Sequence, residues 1–299
     1  MEIFSLENKN SRPCVMALGF FDGVHLGHRS VLEKVCAEAQ KLGAISAVFT
    51  FTDNKNNGKK SQAGEIYSAS RRCEIFEELG IDFVLMPDFT DFSGLSPEEF
   101  VDVLTKRFSA VAFVCGNDFQ FGKNAVGDAQ LLEKLSYERG ARTFIVDELF
   151  IDGQSVSSTR IREALKSGDI KTANKLLGSP YSICAEVVGG KHLGTEVLYP
   201  TINQTFSEGG ALLKFGVYAS RATYNGKTMP SVTNIGICPT IGDQRAPASE
   251  TYIIDADIDL YGKRVKVQLL EYLREEKKFE SISALKSQIE ADIEAARKF

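Results

Sequence analysis

The chain has 299 residues, of which 43% are hydrophobic and 25% charged, and its formal net charge is -5. A chain of this length and composition is expected to fold into two globular domains, each with its own core. The negative charge excludes a broad nucleic-acid-binding surface, which requires an excess of lysine and arginine. Any anionic ligand must therefore be bound locally.

Neither a membrane partner nor secretion is expected. No stretch approaches the roughly 20 apolar residues that cross a bilayer, and the first seven residues lack a basic segment followed by an apolar one. The six cysteines are scattered, mostly among apolar neighbours, as is typical of core residues in a reducing compartment. We expect a cytoplasmic protein.

Residues 15–31 predict a buried strand, a glycine-rich turn and a helix. Two of the three histidines, His25 and His28, lie in this turn. The turn's glycines allow backbone amides to approach an anion closely, and they are Gly19, Gly23 and Gly27. Amides at a helix start and two imidazoles suit a polyphosphate, with the histidines donating to phosphate oxygens during transfer.

The two histidines have two other interpretations. In the structural alternative, one histidine caps the helix and the other fills a turn. A zinc site is disfavoured, because no cysteine pair or third histidine lies near the His-x-x-His spacing.

Strands and helices alternate through the first half of the chain. Further strands are predicted at 45–51, 81–86, 110–115 and 144–146, and helices at 31–42, 70–79 and 97–108, the last with Ser96 as N-cap. The polar segment 52–60 is expected to be a mobile loop. The alternation predicts a parallel sheet with helices on both faces, whose ligands bind beyond the carboxyl ends of the strands.

Two later segments offer further ligand groups at that edge. Residues 116–123, which include Asp118, combine glycines, acids and aromatics in a way that suits a nucleotide or a ring-shaped substrate, although a plain turn is the alternative. In 156–165, hydroxyls run directly into a predicted helix. Capping needs one hydroxyl, so Ser158 and Thr159 together with Arg162 predict a phosphate site.

From about residue 181 the pattern changes to short alternating segments separated by turns. These segments are 182–188, 216–224, 231–237, 250–254 and 264–269, followed by a terminal helix over 281–298. The pattern predicts an antiparallel sheet or small barrel. We place the domain boundary at residue 180, which gives domains 1–180 and 181–299.

The second half contains glycines and neutral oxygen donors that suit phosphate and a hard cation, usually Mg²⁺: Gly190, Gly194, Thr201 and Asn203. The segment lacks the Walker pattern of a P-loop, and glycines in barrels often mark bends. Glu250 begins a predicted strand. If it lies near the metal, it can accept a hydroxyl proton during phosphoryl transfer, and otherwise it is an ordinary surface residue.

Several motifs form an ordered series through both halves. They are 21–28 (Phe-Asp-Gly-Val-His-Leu-Gly-His), 118–122, 157–162, 200–203, 234–236, 259–262 and 273–279. Together they cover nearly the whole chain and are far more specific than any one alone. The chain resembles the prokaryotic bifunctional riboflavin kinase/FMN adenylyltransferase family, also called FAD synthetase.

The resemblance implies an α/β, Rossmann-like nucleotidyltransferase domain with a parallel sheet, followed by an antiparallel β-barrel riboflavin kinase domain with a C-terminal helix. It also implies two reactions. ATP phosphorylates the ribityl 5′ hydroxyl of riboflavin to give FMN, and a second ATP adenylylates FMN to FAD with release of pyrophosphate. The implied ligands are riboflavin, FMN, FAD and ATP, with Mg²⁺ as cofactor.

Roles for individual residues follow from the same resemblance. The expected catalytic residues are His25, His28, Asp118, Arg162 and Glu250. The expected nucleotide- and flavin-binding residues are Gly19, Phe20, Phe21, Asp22, Gly23, Gly27, Ser158, Thr159, Gly190, Gly194 and Arg274. Thr201 and Asn203 are expected to hold Mg-ATP, and Arg274 to lie in the flavin-side loop.

Two departures from the family pattern leave alternatives open. Residues 194–198 replace Gly-Arg-x-Leu-Gly, which removes a cation and a glycine, and 52–60 replaces a proline-containing stretch near the expected flavin site. The alternatives are an FMN adenylyltransferase with an impaired kinase domain, and a non-catalytic flavin-binding or regulatory protein. The oligomeric state is left open.

Overall fold

A computed structural model describes residues 1–52, 64–189, 199–206, 213–237, 247–256 and 258–299. The chain divides into two compact units, Met1–Ser158 and Thr159–Phe299. The predicted loop at 52–60 lies outside the described residues except for Thr52. Gly190, Gly194 and the departure at 194–198 also lie outside them.

The first unit is built on a six-stranded parallel sheet. Its strands are β1 (Glu2–Phe4), β2 (Cys14–Leu18), β3 (Ile45–Phe49), β4 (Phe83–Leu85), β5 (Ala110–Gly116) and β6 (Arg142–Val146), in the spatial order β1-β4-β3-β2-β5-β6. Strands β2 to β6 confirm the five predicted ones. The edge strand β1 was not predicted, because three residues are too few for a periodic signal.

Between these strands, the described residues form five α-helices. They are α1 (Leu26–Leu42), α2 (Ala69–Glu78), α3 (Phe89–Phe92), α4 (Pro97–Phe108) and α5 (Ala129–Tyr137), and a short hairpin of β7 (Phe150–Ile151) and β8 (Gln154–Ser155) follows the sheet. Local signals fix the helix ends, since Gly43 takes a left-handed conformation after α1 and Ser96 forms the predicted N-cap of α4 with Glu99. Helix α1 begins at Leu26, within the strand-turn-helix segment predicted at 15–31.

Adjacent strands β2 and β5 position the candidate groups of this unit. They pair in parallel, with Ala17 opposite Val114, so their carboxyl ends lie side by side. The His25/His28 turn follows β2, and the loop with Asp118 follows β5. The edge predicted from the βα pattern therefore carries both segments.

The second unit contains a six-stranded antiparallel sheet that is nearly closed into a barrel. Its strands are β9 (Ser182–Glu186), β10 (Thr201–Thr205), β11 (Gly216–Tyr224), β12 (Lys227–Ile237), β13 (Pro247–Ile253) and β14 (Arg264–Arg274), in the order β10-β13-β12-β11-β14-β9. The outer strands meet where Val188 bridges to Asn203 and Gln204 Nε2 donates to the Ala185 carbonyl at 2.7 Å. The predicted barrel is confirmed.

Two details of the predicted strands need correction. Glu250 does not begin a strand but lies inside β13, which starts at Pro247. Thr201 and Asn203 lie on strand β10, which was not among the predicted segments. Strand pairing across the barrel decides both points, and a single short segment does not reveal it.

Helices α6 (Ser158–Ser167), α7 (Ile170–Leu177) and α8 (Ile282–Ala296) complete the second unit. Helix α8 confirms the predicted terminal helix. Helix α7 was not predicted, and its Asn174 donates to the Leu269 carbonyl of β14 at 2.9 Å, which attaches it to the barrel. The compact units thus part at Ser158, whereas the catalytic domain boundary at 180 stays a prediction.

The two faces of the barrel differ in character. One face carries a chain of fully buried hydroxyls, in which Ser220 bonds Ser231 at 2.7 Å and Thr233 at 2.8 Å. On the opposite face, Ala219 and Ile254 pack against α8. Side chains alternate along a strand, so neighbouring residues of β10 and β13 are divided between these faces.

Candidate active sites

The turn after β2 has an unusual backbone. Phe21, Gly23 and Val24 have φ angles of 54°, 80° and 42°. Positive φ is rare for a β-branched residue such as Val24 and persists only where the surroundings enforce it. A Cβ on Gly23 would lie 2.9 Å from the Ile66 side chain, so glycine is required both for its φ and for space.

Asp22 fixes this turn from inside. The residue is 3% exposed, and its Oδ1 accepts a hydrogen bond from the Ile66 amide at 2.8 Å. Its carbonyl oxygen accepts another from the Ser158 hydroxyl at 3.0 Å. Both contacts hold the turn in place, a structural role for two residues that the sequence assigned to nucleotide binding.

His25 and His28 form a stacked pair at the start of α1. His25 is the N-cap, and its Nδ1 accepts from the His28 amide at 3.3 Å. The ring centroids are 3.6 Å apart, and the Phe21 ring meets His28 edge-on at 5.3 Å. The structural alternative therefore holds for His25. Since Nδ1 accepts, the proton of a neutral His25 sits on Nε2.

His28 has a depressed pKa. Desolvation lowers it well below 6.5, and the charges of His25 and Arg72 lower it further. Its Nδ1 is enclosed and has no hydrogen-bond partner within the described chain. At neutral pH His28 is therefore uncharged, and an imidazole in that state can donate one proton and accept another.

The remaining residues of the turn are closely packed. A Cβ on Gly19 would lie 3.0 Å from the Phe21 ring, and one on Gly27 would lie 3.3 Å from the His25 ring. The Phe20 carbonyl accepts from Thr50 Oγ1 and from Arg72 Nη1, each at 2.8 Å.

No feature of the sequence singled out Arg72. The residue is fully buried, yet in the sequence it stands beside a second arginine in a charged helix, where a solvated side chain is the ordinary expectation. No local signal separates the two arginines.

The other predicted groups of the first site are spread over two elements. Asp118 is exposed in the loop after β5, where the Phe119 and Phe121 rings stack at 5.6 Å. Thr159 and Arg162 lie on α6 within the second unit, Arg162 one turn after Ser158. Their roles toward ATP stay predictions.

Strand register assembles the candidate site of the barrel. Glu250 on β13 lies directly opposite Asn203 on β10 and directly opposite Asn234 on β12. Side chains at such positions have Cβ atoms roughly 4.5–5.5 Å apart. Thr201 lies two residues before Asn203, on the same face of β10. A carboxylate thus stands between two amides, and Asn234 joins the group without having been assigned a role by the sequence.

Arg274 is the last residue of β14, and its guanidinium forms hydrogen bonds within the second unit. Its Nε and Nη2 donate to the Asp292 carboxylate of α8 at 3.1 and 2.7 Å. Asp292 is 4% exposed, so this pair fastens the helix to the barrel. The segment after Arg274 is tied to β12 by Asn234 Nδ2, which donates to Glu276 Oε1 at 2.9 Å.

The donor set of the barrel fits a magnesium-nucleotide complex. Thr201 and Asn203 offer neutral oxygens beside one carboxylate, and Mg²⁺ is commonly held by few protein oxygens together with substrate phosphates and water. Over the described ranges, no group of three His, Cys, Asp or Glu side chains could hold a metal ion. None of the helices in these ranges is long and apolar enough to cross a membrane.

Comparison with known proteins places the chain in a family. A family model for FAD synthetase matches residues 7–160, and one for riboflavin kinase matches 177–299. The bifunctional riboflavin kinase/FMN adenylyltransferase of Listeria monocytogenes is 34% identical over 95% of this chain and 92% of its own length. That of Escherichia coli K12 is 32% identical over 99% and 96%.

A solved structure has the same fold. It is titled "Crystal Structure of Macrolide-efflux Protein from Streptococcus pneumoniae", and it matches with a TM-score of 0.88 and 27% identity over 100% of both chains.

A parallel α/β domain of nucleotidyltransferase type and a β-barrel of kinase type on one chain define a two-domain transferase. The chain belongs to the bifunctional riboflavin kinase/FMN adenylyltransferase family. It is an enzyme that carries both catalytic domains of flavin cofactor synthesis.

Proposed function

We propose that this chain makes FAD from riboflavin in two steps, with riboflavin phosphorylated by the barrel and FMN adenylylated by the α/β domain. The main support is that one chain matches both family models. In addition, candidate polar residues lie close together in each domain. In the barrel, Asn203 stands opposite Glu250. In the α/β domain, His25 stacks on His28 at the strand edge.

In the kinase step, Glu250 accepts the proton of the ribityl 5′ hydroxyl, whose oxygen forms a bond to the γ-phosphorus as the bond to ADP breaks. Thr201 and Asn203 hold the nucleotide complex beside this carboxylate. Mg²⁺ would supply charge neutralisation of the phosphates. The cross-strand placement of the three residues supports these roles, since it confines them to one face of β10 and β13.

In the adenylylation step, a phosphate oxygen of FMN attacks the α-phosphorus of ATP, and the bond to the β-phosphate breaks to release pyrophosphate. His25 and the neutral His28 donate to the phosphates as charge develops. Ser158 adds a hydroxyl donor, and Asp118 belongs to the loop that the family resemblance assigns to the adenylylation centre. Thr159 and Arg162 keep the phosphate-binding roles that the same resemblance implies. The helix-start position of both histidines and hydroxyls supports this arrangement.

We place both reactions in the cytoplasm. Cys14, Cys36, Cys73, Cys115 and Cys184 are all free thiols, which supports a reducing compartment.

A product assay tests the proposal. Purified chain is incubated with ATP, Mg²⁺ and either riboflavin or FMN, and the flavins are separated by chromatography. We expect FAD from both substrates. His28→Ala should stop at FMN when given riboflavin, whereas Glu250→Gln should leave riboflavin unconverted but still turn FMN into FAD.

Each alternative predicts a different product pattern. Conversion of FMN alone by the unmodified chain would support the adenylyltransferase with an impaired kinase domain. Flavin binding without conversion of either substrate would support the non-catalytic protein. Chelation of divalent cations with EDTA should abolish both conversions, with recovery on adding Mg²⁺ in excess.

A further inference from the structure

Arg72 joins helix α2 to the carboxyl ends of two central strands. Its Nη1 donates to the carbonyl of Phe20, just beyond β2, and to Oγ1 of Thr50, just beyond β3, each at 2.8 Å. Its Nη2 donates to the carbonyl of Phe51 at 2.8 Å. The guanidinium carbon also lies 4.6 Å from the centre of the Phe20 ring. The Arg72 guanidinium thus lies at the carboxyl ends of β2 and β3, the edge of the sheet that carries the histidine turn.

Among the residues that the structure describes, no carboxylate is in contact with the charge of Arg72. The residue is 0% exposed, and the described groups that accept from its guanidinium are all neutral carbonyls or hydroxyls. Its Nε has no hydrogen-bond partner in the part of the chain that is described. Asp22 and Glu65 act on it only through their charges at longer range.

The neighbouring Arg71 provides a contrast on the same helix. Its Nη1 lies 2.9 Å from a carboxylate oxygen of Glu74 and 3.3 Å from one of Glu78. A buried cation is ordinarily paired in this way, because an unpaired one costs several kcal/mol of desolvation. Arg72 departs from this rule next to the strand edge where an anionic ligand is expected.

The field of Arg72 reaches the candidate site. Its charge contributes to lowering the pKa of His28, so the two groups are electrostatically coupled across the turn. In an interior that excludes water, such a charge is weakly screened. An anion bound at the turn would therefore gain from it without touching it.

We propose that Arg72 is a positioning residue of the adenylylation site, whose buried positive charge attracts the nucleotide phosphates while its hydrogen bonds hold the ends of β2 and β3. This proposal rests on the proposed function of the first unit. It assigns Arg72 to ground-state binding of ATP rather than to the transfer step.

Three variants separate charge from structure. Arg72→Gln keeps hydrogen-bond donors and loses the charge, Arg72→Lys keeps the charge, and Arg71→Met removes the paired cation next door. We measure FMN adenylylation at saturating FMN with ATP varied. For Arg72→Gln, KM for ATP should rise about 10- to 30-fold with little change in kcat. Arg72→Lys should recover most of the loss, and Arg71→Met should match the unmodified chain.

The pH profile gives a second readout that a structural role would not move. The charged neighbours acting on His28 are His25 and Arg72. Removing the Arg72 charge should raise the pKa of His28, so the acid limb of kcat/KM should move to higher pH in Arg72→Gln and stay in place in Arg72→Lys. Riboflavin phosphorylation by the same samples should be equal throughout and reports intact protein.

The proposal is overturned if Arg72→Gln lowers kcat with KM unchanged, or if Arg72→Lys is as impaired as Arg72→Gln. Should Arg72→Gln fail to fold, Arg72→Asn, which also has amide donors and no charge, replaces it with the same expectations. If the unmodified chain makes no FAD from FMN, the proposed function fails by itself. Calorimetric titration with ATP then decides on Arg72, because loss of the charge must still weaken binding by a similar factor.

Discussion

His25 and His28 stack face to face, with their ring centroids 3.6 Å apart and their planes inclined by 15°. The arrangement follows from helix geometry, because His25 caps α1 and His28 lies three residues later on the first turn. Two imidazoles at this distance resist double protonation. His28 is therefore held neutral at the start of a helix, where the backbone amides already favour an anion.

The depressed pKa of His28 predicts a stability change with pH. The unfolded chain takes up a proton near pH 6.5, whereas the folded chain does so only at lower pH. Between these values the unfolded state binds more protons, so stability falls as pH is lowered, by up to about 1.4 kcal/mol per pH unit. In urea unfolding at pH 7.5 and pH 5.5, His28→Gln should lose less stability than the unmodified chain. Equal losses would contradict this assignment.

Two substitutions of Asp22 distinguish a structural role in the turn from a role in ligand binding. Asp22→Ala leaves the buried amide of Ile66 unpaired and should cost about 1–3 kcal/mol, with loss of FMN adenylylation. Asp22→Asn keeps the accepting oxygen, so we expect near-normal thermal stability and measurable FAD formation. A folded but inactive Asp22→Asn would instead show that the carboxylate charge is needed at the site.

Arg274 and Asp292 form an ion pair that should contribute far more to stability than an exposed ion pair does. Arg274→Met leaves the buried Asp292 without its cation and should destabilise the barrel by about 3–5 kcal/mol. Arg297 and Asp255 form a comparable contact at 2.7 Å on the surface. Arg297→Met should leave thermal unfolding almost unchanged. Similar losses of stability in the two variants would show that burial does not decide how much an ion pair contributes.

Substitution of Gly216 should cause a selective loss of riboflavin kinase activity. Its φ is 143°, and a Cβ would overlap the carbonyl oxygen of Arg274, which is backbone and cannot move aside cheaply. Gly216→Ala should therefore lower barrel stability by more than about 2 kcal/mol and abolish riboflavin phosphorylation, while FMN is still adenylylated. Gly226 has φ 75° with open space around its Cβ position, so Gly226→Ala should cost only about 1 kcal/mol. Unfolding curves and product assays check both.

Much of the first unit was predictable because its signals are local. The apolar run that forms β2, the capping box at Ser96 and the left-handed Gly43 each depend on a few adjacent residues. Hydrophobic period and turn chemistry act over the same short distances, so they survive into the fold. The ordered motifs likewise identified the family before any contact was known.

The sequence by itself thus determined the elements, the two-domain class and most of the candidate residues. Only the tertiary structure decided which of them meet: Glu2 pairs with Phe83, Asn203 with Glu250, and Arg72 with Phe20. These partners lie tens of residues apart. Strand register and burial depend on which faces the whole chain covers, and shifting a strand by one residue reverses every side chain. For that reason no local pattern distinguished the buried Arg72 from its paired neighbour Arg71.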